Sequence, residues 1–160
     1  MSGNMRFVLL EEVNGNLGEY LSAYNKLQRQ LHGDSFFWSL EMFVRLRKSH
    51  QSETVLFAVV GDKAVGTAQA TLSYVAPKPK LHVENVVVDR SIRGRGVGRS
   101  LLTELIRRSE IKWRMYSAGG NFCVALINSP KKENADFYRK LGFRSRTEQE
   151  GDPTVVWVRG

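Results

Sequence analysis

The chain has 160 residues, the size of one domain, and 24 lysines and arginines against 16 acidic residues give a formal net charge of +8. This charge favours an anionic partner, but the basic residues are spread along the chain without the long basic runs of a nucleic-acid binder. No apolar run is long enough to cross a membrane, and the single cysteine, Cys123, excludes an internal disulfide framework and a cysteine metal cluster.

We therefore expect one domain over residues 1–160 that binds no metal, no nucleic acid and no membrane. The three histidines are scattered and offer too few ligands for a zinc site. The cysteine content fits a reducing compartment, and the N-terminal sequence lacks the pattern of a signal peptide. The expectation is a soluble intracellular protein, cytoplasmic by default, with an organelle reached by a non-standard signal left open.

The spacing of apolar residues predicts the order β-α-α-β-β-β-α-β-α-β. Asp34 or Ser35 is the expected cap of the second helix. The predicted elements are a strand within 5–13, helices over 19–31 and 36–48, a hairpin around Gly61-Asp62, a strand over 81–89, a helix from about Gly98, a strand over 122–127, a helix that ends at Gly142 and a strand within 154–160.

Residues 89–102, DRSIRGRGVGRSLL, combine three glycines with several arginines between a predicted strand and a predicted helix. A helix N-terminus offers unpaired N–H groups and the positive end of a dipole, and glycines let an anion approach the main chain. The pattern predicts a phosphate-binding loop. It is neither a Walker loop, which needs a lysine after the glycines, nor a dinucleotide loop, which needs Gly-x-Gly-x-x-Gly. A glycine-rich turn with solvated arginines is the other interpretation.

Residues 93–98 match Arg/Gln-x-x-Gly-x-Gly/Ala, and the loop resembles the acetyl-CoA pyrophosphate loop of the GNAT superfamily of N-acetyltransferases. The resemblance implies a single GNAT-type α/β (α+β) domain, with a central mixed, mostly antiparallel, splayed sheet flanked by helices. It implies acetyl-CoA as co-substrate. The cofactor-binding residues expected in the strand and loop are Val86, Val87, Val88, Arg93, Gly94, Arg95, Gly96, Val97, Gly98, Arg99 and Ser100.

A second segment, NADFYRKLGF at 134–143, resembles a later motif of the same superfamily. The resemblance implies that Asn134 binds the pantetheine or pyrophosphate region and that Tyr138 faces the leaving sulfur. A phenol is a suitable acid for a thiolate that leaves at neutral pH. The alternative is an ordinary core tyrosine on an amphipathic helix.

The strand LHVENVVVD at 81–89 resembles that of glucosamine-6-phosphate N-acetyltransferases. The resemblance implies an amino-sugar phosphate acceptor, direct transfer in a ternary complex, and a homodimer. Glu84 is the candidate base, acting through water, although an ordinary strand glutamate has the same appearance. Asn85 and Asn128 stand where that family has aspartates, which leaves the identity of the base and the sugar contacts open.

The phosphate of such an acceptor needs cations, and the candidates are Lys78, Lys80 and Arg29; solvated surface side chains are the alternative. Three other functions stay open. The acceptor could be a protein N-terminus, a lysine side chain or another small amine. The domain could bind acyl-CoA without catalysis. It could also be a basic nucleic-acid-binding domain, in which the arginines contact backbone phosphates.

Overall fold

The computed structural model describes residues 4–73, 80–116, 123–126, 135–145 and 157–159. Within these residues, one seven-stranded sheet has the order β1-β2-β3-β4-β5-β7-β6. The strands are β1 (Met5–Leu9), β2 (Glu53–Val60), β3 (Lys63–Ser73), β4 (Lys80–Val88), β5 (Cys123–Leu126), β6 (Arg144–Ser145) and β7 (Trp157–Arg159), and the helices are α1 (Leu17–His32), α2 (Leu40–Lys48), α3 (Val97–Tyr116) and α4 (Ala135–Lys140).

The sheet is mixed and mostly antiparallel, which confirms the predicted fold class. Strands β1 to β4 form an antiparallel series, β5 is parallel to β4, and β7 is antiparallel to both β5 and β6. A parallel pair needs a crossover connection, and α3 lies in the connection between β4 and β5.

Helices cover both faces of the sheet, which explains the continuous apolar run of β2. Leu56 and Ala58 belong to the core beneath α3, whereas Val55 and Phe57 belong to the core beneath α1 and α2. Successive side chains of a strand point to opposite faces, so a strand buried on both sides is apolar throughout. The residues of α3 in the first core are Val97, Leu101, Leu102, Leu105 and Trp113, and the helical residues of the second core include Tyr20, Tyr24, Phe43 and Leu46.

The second helix begins later than the sequence predicts. Its cap is Ser39, whose Oγ accepts a hydrogen bond from the Met42 N–H at 3.3 Å, so the prediction of a cap at Asp34 or Ser35 was wrong. The preceding aromatic residues form a loop instead, because Phe36 and Trp38 pack their rings against Tyr24 at 6.1 and 5.8 Å. Tertiary packing here overrides the helical spacing of the apolar residues.

The other predicted elements are present, with two refinements. The first strand ends at Leu9 and a 3-10 turn over 10–12 follows, in which the Glu12 carboxylate accepts from the Leu9 N–H at 3.0 Å. The short strand β6 was not predicted, since two residues are too few to give a pattern. Within the described ranges, no helix has both the length and the apolar character needed to cross a bilayer.

Candidate functional site

A β-bulge interrupts β4 where the candidate base lies. Gln69 of β3 pairs with Asn85, but the next residue, Ala70, pairs with Val83, so Glu84 is an extra residue on β4. Bulges redirect side chains and increase local twist. The bulge therefore explains how one strand presents both Glu84 and Asn85 beside α1, and no periodicity in the sequence indicates it.

Strand β4 continues past its pairing with β5. Among the described residues, β5 pairs with β4 from Lys80 to Val83, while β4 runs on to Val88. The three valines at 86, 87 and 88 lie in this extension. In the predicted splayed sheet, main-chain groups of this extension would pair with an extended ligand as with another strand; the residues that follow Leu126 lie outside the described ranges.

The glycine-arginine loop leaves the sheet at Asp89. The Asp89 carboxylate accepts hydrogen bonds from the N–H and the hydroxyl of Ser91, at 2.9 and 2.8 Å, and these bonds hold the pKa of Asp89 below its usual range. The 3-10 turn over 90–92 follows. The Arg93 Nε donates to the main-chain oxygen of Val88 at 2.9 Å, so this arginine fastens the loop to the end of β4.

The three glycines of the loop have two different roles. Gly94 and Gly96 both have φ of +80°, a conformation that L side chains rarely adopt, and a Cβ on either would meet nothing within 4 Å. Gly98 lies in the first turn of α3 and is packed: a Cβ there would lie 3.6 Å from both the Phe137 ring and the Val88 side chain. This contact brings α4 against the start of α3.

Tyr138 lies on α4 with its ring partly buried. It makes edge-on contacts with Phe137 and Phe143, with ring centroids 5.0 and 5.9 Å apart. Burial raises the pKa of the Tyr138 phenol above its usual value near 10, so the hydroxyl keeps its proton at neutral pH.

Glu84 belongs to a group of polar side chains on the α1 side of the sheet. The Thr71 hydroxyl is hydrogen-bonded to Glu84, and its oxygen also lies 3.0 Å from each carboxylate oxygen of Glu53. Beside them, the Tyr24 hydroxyl donates to Gln69 at 2.9 Å. Burial, followed by the charges of Glu84 and Glu53, raises the pKa of Tyr24, so this tyrosine also stays protonated.

The C-terminal end of α1 approaches the bulge. His32 Nε2 lies 3.1 Å from Asn85 Oδ1, and the His32 ring stacks on Phe36 with centroids 5.4 Å apart. Arg29, one turn earlier, donates from Nε to the main-chain oxygen of Phe36 at 3.0 Å. The predicted phosphate ligand Arg29 therefore also supports the loop after α1, close to Asn85.

Not every predicted site residue can be compared with the structure. Lys80 is the first residue of β4. Two residues further along the strand, His82 has a lowered pKa because of burial and then the nearby charge of Lys80, so its imidazole is neutral at pH 7. Three predicted residues, Lys78, Asn128 and Asn134, lie outside the described residues.

A cavity of about 210 Å³ lies between α1 and the β2–β3 turn, lined among others by Tyr20, Lys26, Lys63 and Asp89. It contains none of the predicted site residues. The site around β4 is instead an assembly of a bulged strand, a glycine loop, the start of α3 and the packed helix α4.

Residues 51–145 match the model of the acetyltransferase (GNAT) domain. The chain belongs to the GNAT acetyltransferase family. The match begins just before β2 and ends at β6, so it includes the bulge, the glycine-arginine loop and Tyr138 of this GNAT domain.

Similar proteins agree with this assignment. A curated relative, glucosamine 6-phosphate N-acetyltransferase of Trypanosoma brucei brucei, is 37% identical over 68 residues. That match spans 42% of the GNAT chain described here and only 40% of the relative. The crystal structure of glucosamine-6-phosphate N-acetyltransferase from Arabidopsis thaliana has a TM-score of 0.68 at 18% identity and covers 93% of this chain and 97% of its own.

An aminoglycoside N-acetyltransferase solved in complex with CoA shares the fold as well, with a TM-score of 0.62 at 18% identity over 90% of each chain. At these identities, the structural similarities establish the GNAT fold. The acceptor and the roles of individual residues depend on the site itself.

Three residues that the sequence did not single out contact the candidate site residues Glu84 and Asn85: Glu53 and His32, and Thr71 between the two carboxylates. Glu53 and Thr71 meet because they are paired across β2 and β3, and the pairing register is a property of the sheet. His32 meets Asn85 because α1 crosses β4. The sequence carries no local signal for either contact.

Proposed function

We propose that this protein transfers the acetyl group of acetyl-CoA to the amine of glucosamine 6-phosphate, giving N-acetylglucosamine 6-phosphate. The observation that carries the proposal is the sequence of features along one stretch of chain: a strand with Glu84 at a bulge, then the loop with Gly94 and Gly96, then the N-terminus of α3. The curated relative named above, which matches over part of its length, supports the choice of acceptor.

The loop residues fit the pyrophosphate of acetyl-CoA. Gly94 and Gly96 leave open space where any other residue would place a Cβ, and the first N–H groups of α3 are the kind of donors that bind phosphate oxygens. Arg95 and Arg99 are exposed and add positive charge at this end of α3. We assign the pyrophosphate to residues 93–100.

The extension of β4 fits the pantetheine arm, whose amides would bond to the main chain of Val86, Val87 and Val88. Asn134 is the proposed side-chain ligand of the same cofactor. When bound, acetyl-CoA supplies an activated acetyl thioester. The main-chain N–H near Val87 is the proposed donor that polarises the acetyl carbonyl.

Glu84 is the proposed base. An amino sugar arrives as an ammonium ion, so one proton must leave its nitrogen before the lone pair can attack. The Glu84 carboxylate takes that proton through a water molecule. The bulge supports this role, because it turns the Glu84 side chain toward Thr71 on the α1 side of the sheet.

Tyr138 is the proposed acid. Its phenol, held protonated by burial, would donate the proton from Oη to the sulfur as the thiolate leaves. The ring contacts with Phe137 and Phe143 hold the side chain in one orientation. An acid in a fixed position loses little entropy when it acts.

The acceptor is proposed to lie near the bulge. Asn85 would hydrogen-bond the amine or a sugar hydroxyl, since an amide both donates and accepts. Asn128 is the second amide proposed there, and Lys80, Lys78 and Arg29 are the proposed ligands of the sugar phosphate. A homodimer, in which the partner chain borders the sugar, is part of the same proposal.

One experiment tests the acceptor. The purified protein is incubated with acetyl-CoA and a panel of amines that includes glucosamine 6-phosphate, glucosamine and basic peptides, and released CoA thiol is followed. We expect release with glucosamine 6-phosphate and much less with glucosamine. Glucosamine has no phosphate group, so the basic residues proposed to bind the phosphate would make no contact with it. Release with a peptide alone would overturn the acceptor while leaving an acetyltransferase. CoA binding without release for any amine would indicate a binding module.

A further inference from the structure

Two carboxyl groups share one hydroxyl beside the bulge. Both oxygens of Glu53 lie 3.0 Å from Thr71 Oγ1, and Glu84 Oε1 is hydrogen-bonded to the same atom. Glu53 and Thr71 are register partners across β2 and β3, while Glu84 reaches Thr71 from β4. Three adjacent strands thus meet at a single side-chain oxygen.

The number of protons at this point is limited. A threonine hydroxyl has one hydrogen to donate and lone pairs with which to accept. If Glu53 and Glu84 were both ionised, only one of them could receive that hydrogen, and the other would hold a carboxylate oxygen against Thr71 Oγ1 without a proton between them. Two full hydrogen bonds, rather than one hydrogen shared weakly between two carboxylates, form when one of the two carboxyl groups carries a proton.

The surroundings favour Glu53 as the protonated member. Burial is the largest cause and raises the pKa of Glu53; the hydrogen bond with Thr71 lowers it, the charge of Glu84 raises it, and the charge of Lys112 lowers it, with a net shift upward. Lys112 of α3 directs its Nζ to Glu11, at 2.9 Å, and to the main-chain oxygen of Glu53, at 3.1 Å.

Among the described residues, Tyr24 is another polar neighbour on the α1 side, and its hydroxyl donates to Gln69. His82, in the next position of β4 on that side, is held neutral by burial. Neither group adds a positive charge that would ionise Glu53. A proton on Glu53 would donate to Thr71 Oγ1, and the Thr71 hydrogen would then be directed to Glu84.

We propose that Glu53 is a positioning residue for the acetyl transfer: its neutral carboxyl orients the Thr71 hydroxyl so that Thr71 donates to the carboxylate of Glu84, the proposed base. This inference rests on the proposed function for its catalytic meaning. In the step itself, one N–H bond of the acceptor ammonium breaks, its electron pair stays on nitrogen, and the proton passes to the Glu84 carboxylate. Glu53 and Glu84 then carry one proton each, until Glu84 releases its proton to solvent.

The proton can be detected without any acceptor. A protonated carboxyl group gives an infrared C=O band distinct from those of carboxylates and amides, and its position shifts in D₂O. We expect this band in the wild-type protein at pH 7 and its loss in Glu53→Gln. The matched control is Glu41→Gln on α2, where the glutamate is three-quarters exposed and should leave the band unchanged. Absence of the band in the wild type, or its survival in Glu53→Gln, would overturn the shared proton.

The positioning role is tested by comparing two substitutions at the same site. Gln keeps a donor for Thr71, so Glu53→Gln should retain kcat near pH 7. Thr71→Val removes the donor to Glu84, and Glu53→Leu removes the carboxyl that orients this donor. In both variants kcat should fall, by about fivefold in Thr71→Val, equivalent to one hydrogen bond of about 1 kcal/mol, and KM for acetyl-CoA should stay the same.

The pH profile separates positioning from a loss of structure. In Glu53→Leu and Thr71→Val, the acidic limb of kcat/KM should move to higher pH, whereas in Glu53→Gln it should coincide with that of the wild type. Wild-type kcat and an unmoved limb in Glu53→Leu would refute the role. If no amine is acetylated, the proposed function fails, and the infrared band still decides whether the proton is shared.

Discussion

The guanidinium of Arg93 donates to the main-chain oxygen of Val88 at 2.9 Å and so joins the glycine-arginine loop to the last residue of β4. The loop and the strand extension are the proposed sites of two parts of one ligand, the pyrophosphate and the pantetheine arm. The contact between Arg93 and Val88 fixes the distance between the loop and the strand extension, so that one molecule can bind to both. Arg93 therefore has a structural task in addition to its charge.

Arg93→Met should weaken the binding of CoA. The side chain keeps its length but loses the hydrogen bond to Val88 and the charge, and a bond to a charged donor is worth about 1.5 kcal/mol, which corresponds to roughly a tenfold change in Kd. Calorimetric titration with CoA measures it. Arg45→Met on α2, an exposed arginine paired with Glu41, is the matched control and should leave the Kd unchanged. An unaltered Kd in Arg93→Met would contradict the assignment of this loop.

Gly96→Ala should destabilise the protein and reduce its affinity for CoA. The φ of +80° is unfavourable for alanine by about 1–2 kcal/mol, and the new methyl group would enter the open space assigned to the pyrophosphate. Gly18→Ala makes the same substitution within α1, where φ is not positive and the methyl group meets nothing, so stability should rise by up to ~1 kcal/mol. Urea unfolding of the two variants should give changes of opposite sign.

Tyr138→Phe should lower kcat by about 100-fold and leave the Kd of CoA within about twofold, because a positioned proton donor contributes on the order of 10²–10⁴ in rate. The aromatic contacts with Phe137 and Phe143 survive the substitution, so the fold should be intact. Tyr116→Phe, at the exposed end of α3, is the control and should behave as the wild type. Since burial raises the pKa of Tyr138, the phenol stays protonated near neutral pH, and its deprotonation should not limit the wild-type rate there. A full rate in Tyr138→Phe would remove the acid role.

Glu53→Gln should change how stability depends on pH. Burial and the charge of Glu84 raise the pKa of Glu53 in the folded protein, so the folded state binds its proton more tightly than the unfolded state does. The resulting stability is fully present below the unfolded pKa, about 4.3, and is lost as the pH rises through the folded value.

The wild type should therefore be most stable relative to Glu53→Gln in acid, and the difference should decline toward neutral pH. Denaturant unfolding of both proteins at several pH values measures this difference. Hydrogen bonds lower the pKa values of Asp89 and Glu104, so their contributions to the free energy of unfolding are lost in acid. This loss is the same in both proteins and cancels when the two are compared. A constant difference across the pH range would mean that Glu53 does not titrate differently on folding.

The helices and strands were predictable wherever local periodicity agreed with tertiary packing. The hairpin around Gly61-Asp62 and the amphipathic helix α3 are the clearest cases, because their apolar residues face the core at the expected spacing. The start of α2 was not predictable. Phe36 and Trp38 have helical spacing, but their rings find better contacts against Tyr24 from a loop, and Ser39 supplies the actual cap.

The sequence by itself determined the family, through the glycine-arginine loop and the Tyr138 motif, because these depend on residues close together in the chain. Roles that require distant residues depend on the folded sheet. The bulge at Glu84, the meeting of Glu53 and Glu84 at Thr71, and the approach of His32 to Asn85 arise from strand register and from the path of α1 across the sheet. Register is set by the summed packing of whole strands, so only the tertiary structure decided which carboxyl groups meet at one hydroxyl.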